Sequence, residues 1–143
     1  MVKNKEPALV YIDENYKIKL DNIKEKFKDD PEHYSNRLEL KHIYLFSILL
    51  SLKNRYTPKK SKKKTWIFRT EYLKDEDRVV LNSLVFDYKK DITILLPEKY
   101  TEFYEITERL ANAGMNKVLE ILENSEDVEK MILIESKKFS SKK

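Results

Sequence analysis

Apolar side chains recur at intervals of three and four residues over most of the chain, which is typical of amphipathic helices. The first such series predicts a helix and consists of Tyr16, Leu20, Ile23 and Phe27. The series stops at residues 29–31. Asp30 and Pro31 in this stretch suit the N-cap and the first turn of a following helix.

A second helix is predicted over about residues 36–53, and it is apolar on nearly every side beyond Lys41 and His42. A helix without a polar face is expected at the centre of the core. Two short runs of β-forming residues, 8–12 and 66–69, flank the helical segments on either side and suit a two-stranded ribbon.

The second half of the chain predicts further helices. Asp75 suits the N-cap of a third helix, because the acidic residues that follow it favour a helix start. The predicted core face of this helix is Val80, Leu81, Leu84, Val85 and Tyr88. Residues 91–96 fit either a short strand or a helical turn, and Pro97 suits the first position of a fourth helix.

The last predicted break falls at Gly114, which fits either the end of a helix or a mid-helix position where another helix packs closely. Ser125 suits the N-cap of a final short segment. The sequence therefore predicts a mainly α, compact domain of four to six helices over residues 1–135, with room for a small two-stranded β-ribbon. Residues 136–143 are expected to form a disordered basic tail.

The formal net charge of +4 conceals two oppositely charged stretches. Residues 41–70 contain nine basic and no acidic side chains, whereas residues 71–135 contain eight basic and sixteen acidic ones. Within the basic stretch, residues 54–64 hold six basic side chains and no apolar one except Tyr56. Such a block buries little apolar surface, so we expect an internal basic loop at about residues 53–64 that is mobile and solvated.

This loop is the strongest candidate for function, because lysines that neutralise phosphates gain affinity by releasing counterions from nucleic acid. Two aromatic residues near the lysines can stack on bases if the strand is open. The candidate nucleic-acid-binding residues are Lys53, Arg55, Tyr56, Lys59, Lys60, Lys62, Lys63, Lys64, Trp66 and Arg69. The scarcity of arginine favours phosphate contact over base reading, so we expect sequence-nonspecific binding of DNA. Alternatively, the loop docks on the protein's own acidic half.

The composition excludes several classes of function. The chain has no cysteine, which removes disulfides and thiolate chemistry, and a single glycine, which is too few for a phosphate-binding glycine loop. No cofactor, metal site or catalytic residue is predicted. The most apolar run, residues 43–52, is far shorter than the roughly 20 residues of a membrane-spanning helix. With no visible signal peptide, we expect a soluble, cytoplasmic protein without membrane contact.

Two short motifs offer weak support for nuclease chemistry. The spacing of Arg37 and His42 resembles the pattern of HEPN-type ribonucleases, which polarise a scissile phosphate. Residues 132–137, with Glu135 and Lys137, resemble the strand of restriction-type nucleases that carries a metal ligand and a lysine. Each motif also fits an ordinary helix start or a terminal segment followed by lysines.

The order of segments resembles the small proteins called DNA phosphorothioation-associated protein 4, which accompany Dnd-type sulfur-modification and restriction systems. The sharpest motif of that family is typically Tyr-Ala-Asn-Gly-Gly-Leu, and residues 110–115 read Leu-Ala-Asn-Ala-Gly-Met. The other matching segments are Asp-x-x-Tyr-Lys at 13–17, the apolar helix at 44–52, Trp-Ile-Phe at 66–68, and residues 77–86. The resemblance implies an accessory role in a DNA-modification or defence system and supplies no active site.

The expected function is therefore that of a non-enzymatic accessory protein that contacts nucleic-acid phosphate through its lysine-rich loop. The alternative is a protein–protein adaptor that docks a larger protein of the same system through the acidic half. That half carries a row of glutamates at helical spacing: Glu98, Glu102, Glu105 and Glu108. This row is typical of the wet face of a helix, although two carboxylates four residues apart can also bind a divalent ion. A small nuclease is the remote alternative.

Overall fold

The computed structural model describes residues 5–124, which form a helical fold with one small sheet. In chain order the elements are β1 (Leu9–Asp13), α1 (Glu14–Lys26), α2 (Tyr34–Arg37), α3 (Leu40–Lys53), β2 (Lys64–Arg69), α4 (Asp75–Lys89) and α5 (Tyr100–Glu123). Short 3-10 helices at Thr70–Tyr72, Ile92–Leu95 and Pro97–Lys99 join the later elements. The predicted mainly α architecture with a two-stranded ribbon is confirmed.

The core is built around the packing of α3 against α5. Tyr44 and Ile48 of α3 are buried, as are Leu110 and Met115 of α5. The hydroxyl of Tyr44 donates a hydrogen bond of 2.9 Å to the Thr107 hydroxyl, so the phenol is satisfied inside the apolar layer. The prediction that the second apolar helix lies at the centre of the core is confirmed.

Gly114 lies inside α5, which runs without a break through the predicted interruption. A Cβ atom at this position would lie 1.9 Å from the carbonyl oxygen of Ser47 on α3. The two helix backbones therefore approach more closely than any side chain at residue 114 would allow. Of the two sequence interpretations, close packing of a second helix is the correct one.

The ribbon pairs β1 with β2 in antiparallel register, with Val10 opposite Phe68 and Ile12 opposite Thr65. The register shifts between Val10 and Tyr11, where the ribbon is irregular. Ile12 is fully buried, and the next residue, Asp13, caps α1 by accepting a hydrogen bond from the backbone N–H of Asn15. The ribbon thus fixes the position of the α1 N-terminus.

The predicted helix over residues 36–53 is divided in the structure. α2 ends at Arg37, the next residue, Leu38, has an extended backbone, and α3 begins at Leu40. The N-cap of α2 is His33 rather than Asp30, because the buried His33 ring is fixed in a stack on Phe27 with ring centroids 3.7 Å apart. The Asp30 carboxylate instead accepts from the N–H two residues further on and closes a turn.

α4 and the segment after it correct three further expectations. The N-cap of α4 is Lys74 rather than Asp75, and the Asp77 carboxylate accepts a hydrogen bond from the Lys74 backbone N–H. Val80 and Tyr88 are 47% and 44% exposed, because α4 lies at the periphery and buries only a narrow stripe. Of the two alternatives for residues 91–96, the helical turn is the correct one, because Ile92–Leu95 is a 3-10 helix. Pro97 begins a further 3-10 helix, and α5 begins three residues after this proline, which was expected to start it.

Within residues 5–124, no helix is both long enough and apolar enough to cross a bilayer. The final segment predicted to begin at Ser125 and the basic tail at residues 136–143 lie outside the described residues.

Candidate nucleic-acid interface

The connection between α3 and β2, residues 54–63, has no helix or strand and is held against α5 by hydrogen bonds. The Lys59 backbone N–H donates to the Arg109 carbonyl at 3.0 Å. The side-chain amide of Asn112 donates to the Lys59 carbonyl at 2.9 Å and to the Ser61 hydroxyl oxygen at 2.8 Å. The Ser61 hydroxyl in turn donates to the Glu108 carboxylate. One side of the segment is therefore tied to α5.

The other side of the segment is tied to the start of α1. The Asp13 carboxylate accepts a hydrogen bond of 2.9 Å from the Lys62 backbone N–H, and the Glu14 backbone N–H donates to the Lys63 carbonyl at 2.8 Å. Asn112 completes the junction by accepting from the Asp13 backbone N–H at 2.9 Å. Most residues of the segment are exposed, as expected of a solvated loop, and the contacts with α5 agree with the alternative that the loop docks on the acidic half. The segment is irregular, as predicted, and its backbone is anchored at both sides.

Five lysines line one cavity of about 590 Å³ between this segment, the start of α1 and the middle of α5. They are Lys19, Lys59, Lys60, Lys62 and Lys63. The remaining lining residues are polar or aromatic: Asp13, Asn15, Tyr16, Asn112 and Asn116. We call this cavity and its lining residues the basic cleft.

The lysines of the basic cleft differ in how far their charge is compensated. The Lys59 ammonium donates to the Tyr16 hydroxyl at 3.2 Å, and that of Lys63 lies 3.5 Å from the Glu14 carboxylate. In contrast, the ammonium groups of Lys19, Lys60 and Lys62 have no hydrogen-bond or ion-pair partner among residues 5–124. Three exposed ammonium groups without an ion-pair partner favour the binding of an anion in this cavity.

Four of the ten predicted binding residues, Lys59, Lys60, Lys62 and Lys63, line the basic cleft. The other six do not: Lys53, Arg55, Tyr56, Lys64, Trp66 and Arg69.

Some of these six have other contacts. The Lys64 ammonium lies over the ring of Tyr11, 4.8 Å from its centroid, and the Arg69 Nε lies 3.1 Å from the Glu71 carboxylate. Trp66 is 53% exposed on β2, on the lining of a separate groove. The structure therefore divides the basic stretch into several surfaces.

The sequence did not predict six of the ten residues that line the basic cleft. Lys19 and Asn15 lie on the polar face of α1, and Asn112 and Asn116 come from α5, nearly a hundred residues later. One local feature of the sequence pointed to this site: Asn112 interrupts an otherwise apolar helix face. A buried asparagine in a helix requires hydrogen-bond partners from elsewhere in the chain.

Among the described residues, the structure does not bring the side chains of the two nuclease motifs together in one site. The guanidinium of Arg37 lies 3.9 Å from Glu32, whereas the His42 imidazole lies 3.7 Å from the Asp77 carboxylate. The two side chains of the first motif thus have different acidic partners. Glu135 and Lys137, which form the second motif, lie outside the described residues.

Two glutamates of the acidic row make separate contacts. Glu102 lies 3.2 Å from the Lys89 ammonium, and Glu108 accepts from Ser61. Over residues 5–124, no group of three or more histidine, aspartate or glutamate side chains is arranged to hold a metal ion.

Comparisons with protein-family models, with curated proteins and with solved structures find no match to this chain.

Proposed function

We propose that this protein is a non-enzymatic, nucleic-acid-binding accessory protein of a DNA-modification or defence system. The observation that carries the proposal is the basic cleft, in which Lys19, Lys60 and Lys62 surround one cavity without acidic partners among residues 5–124. Ammonium groups bind phosphate as point charges and do not read base edges bidentately, so binding is sequence-nonspecific. The resemblance to the phosphorothioation-associated proteins supports the biological context.

The chemistry of the cleft supports a binding role rather than catalysis. Its lining contains no histidine, and its one carboxylate is that of Asp13. Both oxygens of that carboxylate accept backbone N–H groups, one from Asn15 and the other from Lys62. Because both oxygens of this carboxylate are used in holding the backbone, it is poorly placed to act on a substrate as an acid or a base.

The test is DNA binding by the double variant Lys60→Gln/Lys62→Gln, measured by fluorescence anisotropy from about 50 to about 200 mM salt. We expect wild-type affinity to fall steeply with salt, because each neutralised phosphate contributes a slope of about −0.9. The variant should bind about tenfold more weakly at the lowest salt and lose about two units of that slope.

The matched control is Lys26→Gln/Lys28→Gln, which removes the same charge near the far end of α1. It should retain most of the affinity and of the salt slope. Absence of DNA binding by the wild type at about 50 mM salt would refute the proposal. Equal losses in both double variants would show that net charge, and not the basic cleft, is responsible.

A second candidate function is an adaptor that docks a basic partner protein through α4 and the turn after it. The supporting observation is the exposure of Val79, Phe86 and Ile92, which are 64%, 39% and 63% exposed in the acidic half of the chain. Exposed apolar side chains in a half of the chain with excess negative charge suit a partner with a complementary basic rim. A basic protein that co-purifies stoichiometrically with the wild type and with Lys60→Gln/Lys62→Gln, but not with Phe86→Glu, would support the adaptor.

A further inference from the structure

We infer that the basic cleft receives the terminal phosphate of a nucleic-acid strand end, an inference that rests on the proposed nucleic-acid-binding function. The ligands that would fit the cleft share one chemical group, a phosphomonoester. Three properties of the cleft point to it: its concave shape, its uncompensated charge and its free amide groups.

The shape of the cleft suits a strand end better than the side of a duplex. A volume of about 590 Å³ lies within the range of pockets that enclose a small molecule. The walls come from three separate parts of the chain: the start of α1, residues 59–63 and the middle of α5. A duplex presents its phosphates along a convex ridge, which meets a flat or grooved surface more readily than a concave cavity lined by three parts of the chain. A strand terminus can enter such a cavity.

The charge of the cleft suits a monoester better than a diester. A terminal phosphate carries a charge of about −1.5 to −2 at pH 7, whereas each internal phosphate carries one negative charge. Lys19, Lys60 and Lys62 offer three ammonium groups without partners among residues 5–124. The additional charge and the additional oxygen of the monoester can therefore be matched by donors that an internal phosphate would leave unused. The one carboxylate of the lining, Asp13, has both oxygens directed at backbone N–H donors, and five lysines in the same lining outnumber it.

The amide groups of the cleft can hold the nucleotide attached to that phosphate. Among residues 5–124, the side-chain amides of Asn15 and Asn116 form no hydrogen bond, and both residues are exposed. Asn112, in contrast, uses its amide to hold the wall of the cleft together. Two free amides beside a group of ammonium ions suit hydrogen bonding to a sugar or a base edge. We therefore expect the cleft to take the phosphate together with its nucleotide.

The experiment compares labelled single strands of about 12 nucleotides that differ only in a 5′-phosphate, a 3′-phosphate or hydroxyls at both ends. Anisotropy at about 100 mM salt should show at least one phosphorylated strand bound about tenfold more tightly than the hydroxyl strand. The preference should disappear in Lys60→Gln/Lys62→Gln and persist in Lys26→Gln/Lys28→Gln. Asn116→Ala should reduce the affinity for the phosphorylated strand more than that for the hydroxyl strand.

Competition separates the sources of the phosphomonoester. Inorganic phosphate and a nucleoside monophosphate lack the internal phosphates of the strand and the counterion release that these provide, so they should displace the phosphorylated strand only at concentrations well above that of the strand itself. If either competes as well as the strand, the cleft is a site for a free small phosphate and the strand-end inference is overturned. Equal affinity for phosphorylated and hydroxyl strands overturns the inference and leaves the proposed function intact, whereas absence of binding to every strand and duplex overturns both.

Discussion

Asn112 is the residue on which the geometry of the basic cleft depends most directly. It is 1% exposed, and its amide satisfies three groups that are far apart in the sequence: the Asp13 N–H, the Lys59 carbonyl and the Ser61 hydroxyl. The donor and acceptor pattern fixes the orientation of the amide, because the oxygen faces an N–H and the nitrogen faces a carbonyl. One side chain thus joins three parts of the chain: β1, the basic segment at residues 54–63, and α5.

Replacing this amide should loosen the basic segment. Asn112→Ala leaves buried backbone groups without partners, so we expect the free energy of unfolding to fall by about 1–3 kcal/mol. Residues 54–64 contain six sites for trypsin, and cleavage within them should accelerate when the backbone is released. Urea denaturation and limited proteolysis under native conditions measure the two effects.

The matched control for this experiment is Asn116→Ala, one helical turn further along α5 and exposed to solvent. We expect it to leave both stability and the cleavage rate nearly unchanged. A cleavage rate in Asn112→Ala equal to that of the wild type would show that other contacts, such as that between Lys59 and Arg109, suffice to hold the segment.

At the level of elements, the contact between α3 and α5 determines how closely the central layer packs. The Ser47 carbonyl lies where a Cβ of residue 114 would be, so the smallest residue is needed at this crossing. The adjacent hydrogen bond from the Ser51 hydroxyl to the Leu110 carbonyl, 2.7 Å long, shows that small polar side chains also serve this interface. Close approach here brings the buried faces of α3 and α5 into contact.

Gly114→Ala should therefore destabilise the protein, although alanine is the better helix former by about 1 kcal/mol. The added methyl would meet backbone atoms, which cannot move aside as a flexible side chain would. We expect a net loss of about 1–3 kcal/mol in the free energy of unfolding, measured by urea denaturation.

Glu120→Ala, at an exposed position of the same helix, provides the control and should change stability by no more than about 0.5 kcal/mol. If Gly114→Ala proved more stable than the wild type, the helices would be able to separate at low cost and the close crossing would not be a packing requirement.

At the level of the whole molecule, folding joins the basic stretch to the acidic half at several points. Ser61 donates to Glu108, and the buried ammonium of Lys41 lies 2.6 Å from the Asp77 carboxylate and 2.9 Å from the Tyr72 carbonyl. Part of the charge asymmetry seen in the sequence is therefore neutralised inside the fold. The positive charge of the lysines in the basic cleft is not neutralised in this way and remains available to an external anion.

The Lys41–Asp77 pair predicts a dependence of stability on pH. Burial favours the neutral carboxyl, but hydrogen bonds from the Lys41 ammonium and the Lys74 N–H outweigh it, and the pKa of Asp77 lies below its usual value of 3.8. Because this pKa is depressed in the folded state, the stabilisation is complete above the unfolded pKa and is lost as the pH falls through the folded one.

Urea denaturation of wild type and Asp77→Asn at about pH 7, 5 and 3 tests this expectation. The wild type should be the more stable protein at the two higher values, and the difference should narrow below about pH 4. Asp87→Asn, at an exposed position of the same helix, should show a small difference at each pH. A gap between wild type and Asp77→Asn that stays constant down to the lowest pH would contradict the assignment.

Local signals account for the parts of the fold that the sequence predicted well. The spacing of apolar residues located α1 and α3, and two runs of β-forming residues located the ribbon, because each pattern extends over one element and needs no knowledge of its neighbours. The exposure of Val80 and Tyr88 was not predictable in this way, since the burial of a helix face depends on which element packs against it.

The pattern of residues is sufficient to predict a mainly helical protein with a central apolar helix and a concentrated block of positive charge. Which charges converge depends on tertiary contacts, because the basic cleft is assembled from Lys19, Lys60 and Asn116, which are distant along the chain. The role of Gly114, a helix end or a close helix crossing, also depends on tertiary contacts, since the oxygen that excludes a side chain there belongs to another helix. Periodicity and charge are properties of neighbouring residues, whereas a cavity and a helix crossing are properties of residues that meet only after folding.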